Sequence, residues 1–199
     1  PDAMLIAETG VLNAMIVDST ALPEQAVRDA VASAFQSAGQ RCSALRVLYV
    51  QEDVADKVTE MLTGAMEALE VGDPLNLATD VGPVIDADAL TSITAWCATA
   101  ESEGRLVAKL AAPSGGRFVA PHVLRVKGIG DMEREIFGPV LHLATFRAQD
   151  LEKVIADING RGYGLTFGLH TRIDDRVQDV IDRIHAGNVY VNRNQIGAI

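Results

Sequence analysis

The feature that most restricts how this chain can fold is the regular exchange of short apolar runs for longer amphipathic ones along nearly its whole length. Residues 13–18 read as a short apolar strand, and residues 24–38 as a helix that Pro23 opens and Gly39 stops. The same alternation predicts strands at 46–50, 106–109, 123–126, 140–146, 165–170 and 188–192, and helices at 53–69, 86–102, 150–158 and 174–184. Strands separated by helices run parallel, because the helix carries the chain back to the edge where the strand began. A parallel sheet then has two faces to cover. The expected fold class is α/β, a mainly parallel sheet with helices on both faces. Antiparallel or irregular insertions are expected between residues 106 and 126.

Composition narrows the function classes. With 199 residues the chain can bury a substantial core, and 48% hydrophobic with 22% charged residues is the balance of an ordinary globular protein, read as one domain over residues 1–199. Seventeen Lys and Arg against 27 Asp and Glu leave a net charge of −10, which repels a polyanion, so nucleic acid is not an expected partner. No run approaches the roughly 18 apolar residues of a membrane span, and the expected compartment is the cytoplasm. The two cysteines, Cys42 and Cys97, have no metal-ligand or CxxC spacing and are read as reduced thiols. The four histidines, His122, His142, His170 and His185, show no ligand spacing either. No metal site is expected, and each histidine is read as a strand-end or surface residue. A Gly-rich dinucleotide fingerprint, a P-loop and a GxSxG elbow are all absent from the sequence. The opening Pro1-Asp2 suggests a piece of something longer.

Three places could carry chemistry. Cys42, in Gly39-Gln40-Arg41-Cys42-Ser43-Ala44, falls in a loop between a helix and a strand, beside a cation that favours the thiolate. A lone Cys is nevertheless more often a small buried hydrophobe. Glu8 ends an apolar run, Met4-Leu5-Ile6-Ala7, where partial burial would raise its pKa towards that of a general base. The plainer reading is a solvated loop carboxylate. Glu135 and Phe137 precede Gly138-Pro139, which fixes their direction ahead of an apolar strand, although a charged surface turn has the same composition. Cys97 reads only as a helix residue near the core.

Together these segments resemble a known pattern. Ala7-Glu8-Thr9-Gly10, Gly39-Gln40-Arg41-Cys42-Ser43-Ala44, Glu135-Ile136-Phe137-Gly138-Pro139-Val140 and Gly187-Asn188-Val189-Tyr190-Val191-Asn192-Arg193-Asn194 occur in the order of the aldehyde dehydrogenase superfamily. More narrowly, Gln40 to Arg46, Tyr163 to Asp174 and Asn192-Arg193-Asn194 resemble the 1-pyrroline-5-carboxylate dehydrogenase module of bacterial bifunctional proline utilisation proteins.

The resemblance implies a catalytic domain of that type, with Cys42 as covalent nucleophile and Glu8 as the base that activates the deacylating water. It implies NAD as cofactor, with Glu135 on the nicotinamide ribose and Phe137 beside the nicotinamide. Ser43 and the Gly197-Ala198 backbone corner would hold the carboxylate of glutamate semialdehyde. The family's cofactor-binding domain has no counterpart in these residues, so it is an expected partner from a parent chain, and self-association into a homo-oligomer stays open. One departure stands out: relatives carry a second Gly where this chain has Val11, and a β-branched residue would be strained if that position needs a positive φ. Oxidation of glutamate semialdehyde, oxidation of another aldehyde, and a catalytically silent scaffold domain remain as alternatives.

Overall fold

The computed structural model describes residues 10–162 and 164–197. Seven strands form one sheet in the order β3-β4-β5-β2-β1-β6-β7. They are β1 (Ala14–Val17), β2 (Val47–Gln51), β3 (Leu106–Lys109), β4 (His122–Arg125), β5 (Val140–Phe146), β6 (Gly164–His170) and β7 (Ala186–Val191). Every neighbouring pair is parallel except β3 with β4. That antiparallel pair lies in the segment where the sequence predicted an insertion.

Five helices cover the sheet: α1 (Pro23–Phe35), α2 (Glu52–Glu67), α3 (Ala87–Ser102), α4 (Leu151–Asn159) and α5 (Asp174–Arg183). Alternate strand residues face opposite sides, and the sequence sorts them accordingly. Met15, Val17, Leu48, Val50, Leu141 and Leu143 join Ala26, Ala30 and Ala34 of α1 and Val58, Leu62 and Met66 of α2. Ala14, Ile16, Val47, Tyr49, Ala144, Phe167 and Leu169 join Ile93 and Cys97 of α3, Ile155 of α4 and Val180 of α5. The expected two-faced α/β sandwich is therefore present, and no helix among the described residues is long and apolar enough to cross a membrane.

Two local expectations need correction. Helix α1 was expected to continue to residue 38 but stops at Phe35, because Ser37, Ala38 and Gly39 all take left-handed backbone with φ of 57°, 54° and 64°. Only Gly adopts that region freely. At Gly39 the space is also closed, since a Cβ there would lie 2.1 Å from the Gly138 carbonyl oxygen. The second correction concerns His142, which sits in the middle of β5 with no exposed surface. The Trp96 indole N–H donates to its Nε2 (3.1 Å), which leaves Nδ1 to carry the proton and donate to the Arg46 carbonyl (3.0 Å). Its neighbours supply the two bonds a neutral imidazole needs. His122 and His170 are buried at strand ends.

Strand order decides where function can sit. The loops entering β1, β2 and β5 carry Gly10 to Asn13, Gln40 to Arg46 and Glu135 to Pro139, and these three strands are adjacent and parallel. All three loops therefore open at the same, amino-terminal edge of the sheet.

Burial pushes the His142 imidazole down to about 4 from 6.5. Between those values the unfolded chain takes up a proton that the folded chain refuses, so stability is full above about pH 6.5 and falls with acid, by about 1.4 kcal/mol per pH unit for this one group. Denaturant titrations across that window should show this slope in wild type and a slope shallower by about one proton in His142→Phe; equal slopes would show that His142 is not held neutral.

Candidate active site

Cys42 is exposed, whereas Cys97 lies on the core-facing side of α3, where burial raises its thiol pKa to about 12. A thiolate is the reactive form and burial disfavours it at Cys97, which leaves Cys42 as the accessible thiol. Its loop is fixed through its carbonyls. The Asn13 side-chain amide donates to the Cys42 carbonyl (2.6 Å) and the Ala44 carbonyl (3.0 Å), while the Ser43 carbonyl accepts the Thr166 hydroxyl (3.1 Å). Asn13 Oδ1 accepts the Thr166 N–H in turn (3.0 Å). In a planar trans peptide the N–H points opposite to the carbonyl. Fixing the carbonyls of Arg41 and Cys42 inward therefore turns the Cys42 and Ser43 N–H groups the other way, and among the described residues neither has a protein partner. A turn with free N–H groups beside an exposed thiol can stabilise a developing oxyanion.

Arg46 supplies the inward pull on Arg41. Its guanidinium is fully buried and donates through Nη1 to the Gly39 carbonyl (2.7 Å) and through Nη2 to the Arg41 carbonyl (3.2 Å). Its Nε and Nη2 both reach Glu135 Oε1, at 2.9 and 2.8 Å. Burial pushes the guanidinium pKa down, and Glu135, followed by Cys42, pulls it back up. One side chain thus fastens the turn before the thiol to the carboxylate that enters β5.

Glu135 is held from its other side as well. The Val11 N–H donates to Oε2 (3.0 Å), and a Cβ on Gly10 would lie 3.6 Å from that oxygen. Val11 is not among the residues with positive φ, so the strain expected there does not arise, and its backbone is one of the supports of Glu135. Phe137 stays 43% exposed, with the Arg46 guanidinium carbon 5.1 Å from its ring centroid. One ring face is thereby backed by a cation, and exposed surface remains for a flat partner. Gln40 closes the rim: its amide donates to the Pro83 carbonyl (3.1 Å) and accepts the Ile85 N–H (2.8 Å).

The segment after β7 reaches this edge by running back along α1. The Gln25 side chain, near the start of α1, donates to the Asn192 carbonyl, and Ser33 Oγ, near its end, accepts the Gln195 N–H (3.1 Å). Eight helical steps span about 12 Å; the three backbone steps from Asn192 to Gln195 reach about 11 Å at most, and the length of the Gln25 side chain makes up the difference. Asn192 is held at φ 53° by exchanging two hydrogen bonds with the Thr171 backbone. Gly197, at φ 98°, follows two residues after Gln195, and Gln195 itself reaches the Ser43 carbonyl. Ser43 is buried beneath the loop. Of the residues singled out from the sequence, Cys42, Ser43, Glu135 and Phe137 converge, and Gly197 is led towards them. Glu8 and Ala198 lie outside the described residues.

Asn13, Arg46, Thr166 and Gln195 were assigned no role from the sequence. The available signal was a polar residue at the head of an apolar strand, as Asn13 and Arg46 are. Such a residue becomes buried with its strand and must be satisfied there.

The sequence and the fold are similar to those of known proteins. The aldehyde dehydrogenase family profile matches residues 3–199. The Bifunctional protein PutA of Salmonella typhimurium is 48% identical over 203 residues, spanning 98% of this chain and 15% of that protein. A crystal structure of a bifunctional proline utilization A protein covers the whole chain at 54% identity with a TM-score of 0.96, the match taking in 20% of that chain. A 1-pyrroline-5-carboxylate dehydrogenase from Thermus with bound NAD matches 96% of this chain and 37% of its own at 32% identity, with a TM-score of 0.86. The chain thus spans about 15% of the length of the curated bifunctional relatives it matches.

Lysine at position 46 would keep the charge but lose the planar fork, leaving some of the Gly39, Arg41 and Glu135 acceptors unpaired. Arg46→Lys should lower unfolding stability by roughly 3 kcal/mol and change the rate of Cys42 alkylation. A variant as stable and as reactive as wild type would show that the fork does not hold the loop.

Proposed function

The chain belongs to the aldehyde dehydrogenase family, and from that premise we propose that it is the catalytic domain of a longer NAD-linked enzyme that oxidises L-glutamate 5-semialdehyde, the open form of 1-pyrroline-5-carboxylate, to glutamate in proline catabolism. The observation that carries this is the exposed Cys42 thiol in a turn whose Arg41, Cys42, Ser43 and Ala44 carbonyls are taken inward, fastened by Arg46 to Glu135 and Phe137. The names and lengths of the relatives support both the substrate and the larger parent.

In this reading the Cys42 thiolate attacks the aldehyde carbon and forms an S–C bond, and the carbonyl oxygen becomes an oxyanion held by the Cys42 N–H. NAD, when bound, supplies the acceptor for the hydrogen that leaves this carbon with its electron pair. Cys42 is left as a thioester. Glu8 takes a proton from water, the hydroxide adds to the thioester carbon, and the Cys42 thiolate departs with release of the carboxylic acid. Glu135 suits a ribose: Arg46 and Val11 fix its orientation, and a carboxylate has lone pairs beyond those two contacts for a hydroxyl donor. Phe137, backed by Arg46, suits the flat ring next to it. Ser43 and the Gly197-Ala198 corner are assigned to the substrate carboxylate, where charge-assisted hydrogen bonds are about twice as strong as neutral ones. The two reduced thiols fit a cytoplasmic setting.

In the full-length protein, wild type should oxidise glutamate semialdehyde with a kcat/KM at least about tenfold above that for propanal. Cys42→Ser should cut the rate at least about a thousandfold, while Glu135→Ala chiefly raises the KM for NAD. Residues 1–199 expressed alone should produce no measurable NADH. Retained turnover in Cys42→Ser, or robust NADH production by the isolated chain, would overturn the corresponding assignment.

A further inference from the structure

Gln195 occupies an unusual place between the two halves of the site. It is fully buried, and its Nε2 donates to the Thr166 hydroxyl (3.1 Å) and towards the Ser43 carbonyl (3.4 Å). Its backbone N–H donates to Ser33 Oγ, and the Ser33 carbonyl accepts the Leu45 N–H (3.0 Å). Gln195, two residues before Gly197, and the residues after the thiol therefore share two common supports, Thr166 and Ser33. Room for the side chain comes from Gly168, where a Cβ would stand 2.9 Å from Gln195 Oε1. Thr166 also donates to the Ser43 carbonyl and is held by Asn13, the residue that fixes the Cys42 carbonyl. The Gln195 amide therefore contacts the nucleophile turn directly, and Ser33 relays a second link to the strand entrance behind it.

We propose that Gln195 is a positioning residue for substrate specificity: it ties the backbone that leads to Gly197, assigned to the substrate carboxylate, to the Cys42 turn, so that the two ends of an amino-acid aldehyde meet one frame. The proposal rests on the substrate reading given above. Backbone donors recognise a carboxylate well only when they are held in place before it arrives, because ordering them during binding subtracts from affinity. An aldehyde without that carboxylate uses only the Cys42 end of the frame. Loosening the corner should therefore weaken binding of the carboxylated substrate and leave the reaction at sulfur intact.

Gln195→Met retains much of the side-chain length and removes the amide; Gln195→Ala removes both. The full-length enzyme would be assayed with glutamate semialdehyde and with propanal, alongside the rate of Cys42 alkylation by iodoacetamide. For Gln195→Met the expected result is a KM for the semialdehyde raised about tenfold, with kcat, propanal kcat/KM and alkylation rate each within about twofold of wild type. Gln195→Ala should show the same split with a larger rise in KM. Equal losses on both aldehydes, or slowed alkylation, would assign Gln195 to general structure, and an unchanged semialdehyde KM would remove its role altogether. If wild type itself showed no preference for the semialdehyde, the substrate reading would fail and the specificity role with it. A wild-type preference that both variants keep would defeat the Gln195 proposal alone.

Discussion

Arg46 enters the interior carrying its charge, and a guanidinium removed from water must find an acceptor for its N–H groups or cost the fold several kcal/mol. The acceptors it finds are the Gly39 and Arg41 carbonyls and Glu135. None of these belongs to a strand or an α-helix. Satisfying the buried charge therefore orders two loops at once. The loop before β2 acquires the left-handed path that brings Cys42 to the surface, and the loop before β5 acquires a fixed carboxylate and an aromatic ring beside it.

The sheet makes this economy of contacts possible. In an open parallel sheet ligands usually gather at the carboxyl ends of the strands, where the helices begin. Here the residues concerned enter β1, β2 and β5 at their amino ends, and the segment after β7 returns along α1 to the same side. The reversal has a local cause: Asn13 and Arg46 are polar residues at the amino ends of buried strands, and their side-chain N–H groups reach the carbonyls of the loops above them. In a network of this kind each bond limits the freedom of the next.

Much of this was legible in the sequence. Alternating apolar and amphipathic runs located all seven strands and five helices, and the turn residues between 106 and 126 marked the antiparallel edge. What could not be read were features set by distant partners. Nothing local marks Ser37 and Ala38 as left-handed; they are held so by a turn that must bring Gly39 against Gly138. Arg46 and Glu135 are 89 residues apart, and only the adjacency of β2 and β5 makes them neighbours. His142 was misread because a histidine in an apolar run gives no sign that Trp96 and the Arg46 carbonyl will satisfy it. The concern over Val11 came from a family pattern and is answered by its backbone, which serves Glu135 through an N–H that any residue but proline supplies.

The proposed chemistry rests on the Cys42 sulfur, and the most direct test looks for the covalent species it should form. Full-length enzyme mixed with glutamate semialdehyde and NAD, quenched in acid during turnover and digested, should yield the peptide containing Cys42 with the added mass of one glutamyl group, and the peptide containing Cys97 unmodified. Adduct on Cys97, or turnover with no acylated cysteine at any time point, would contradict the account.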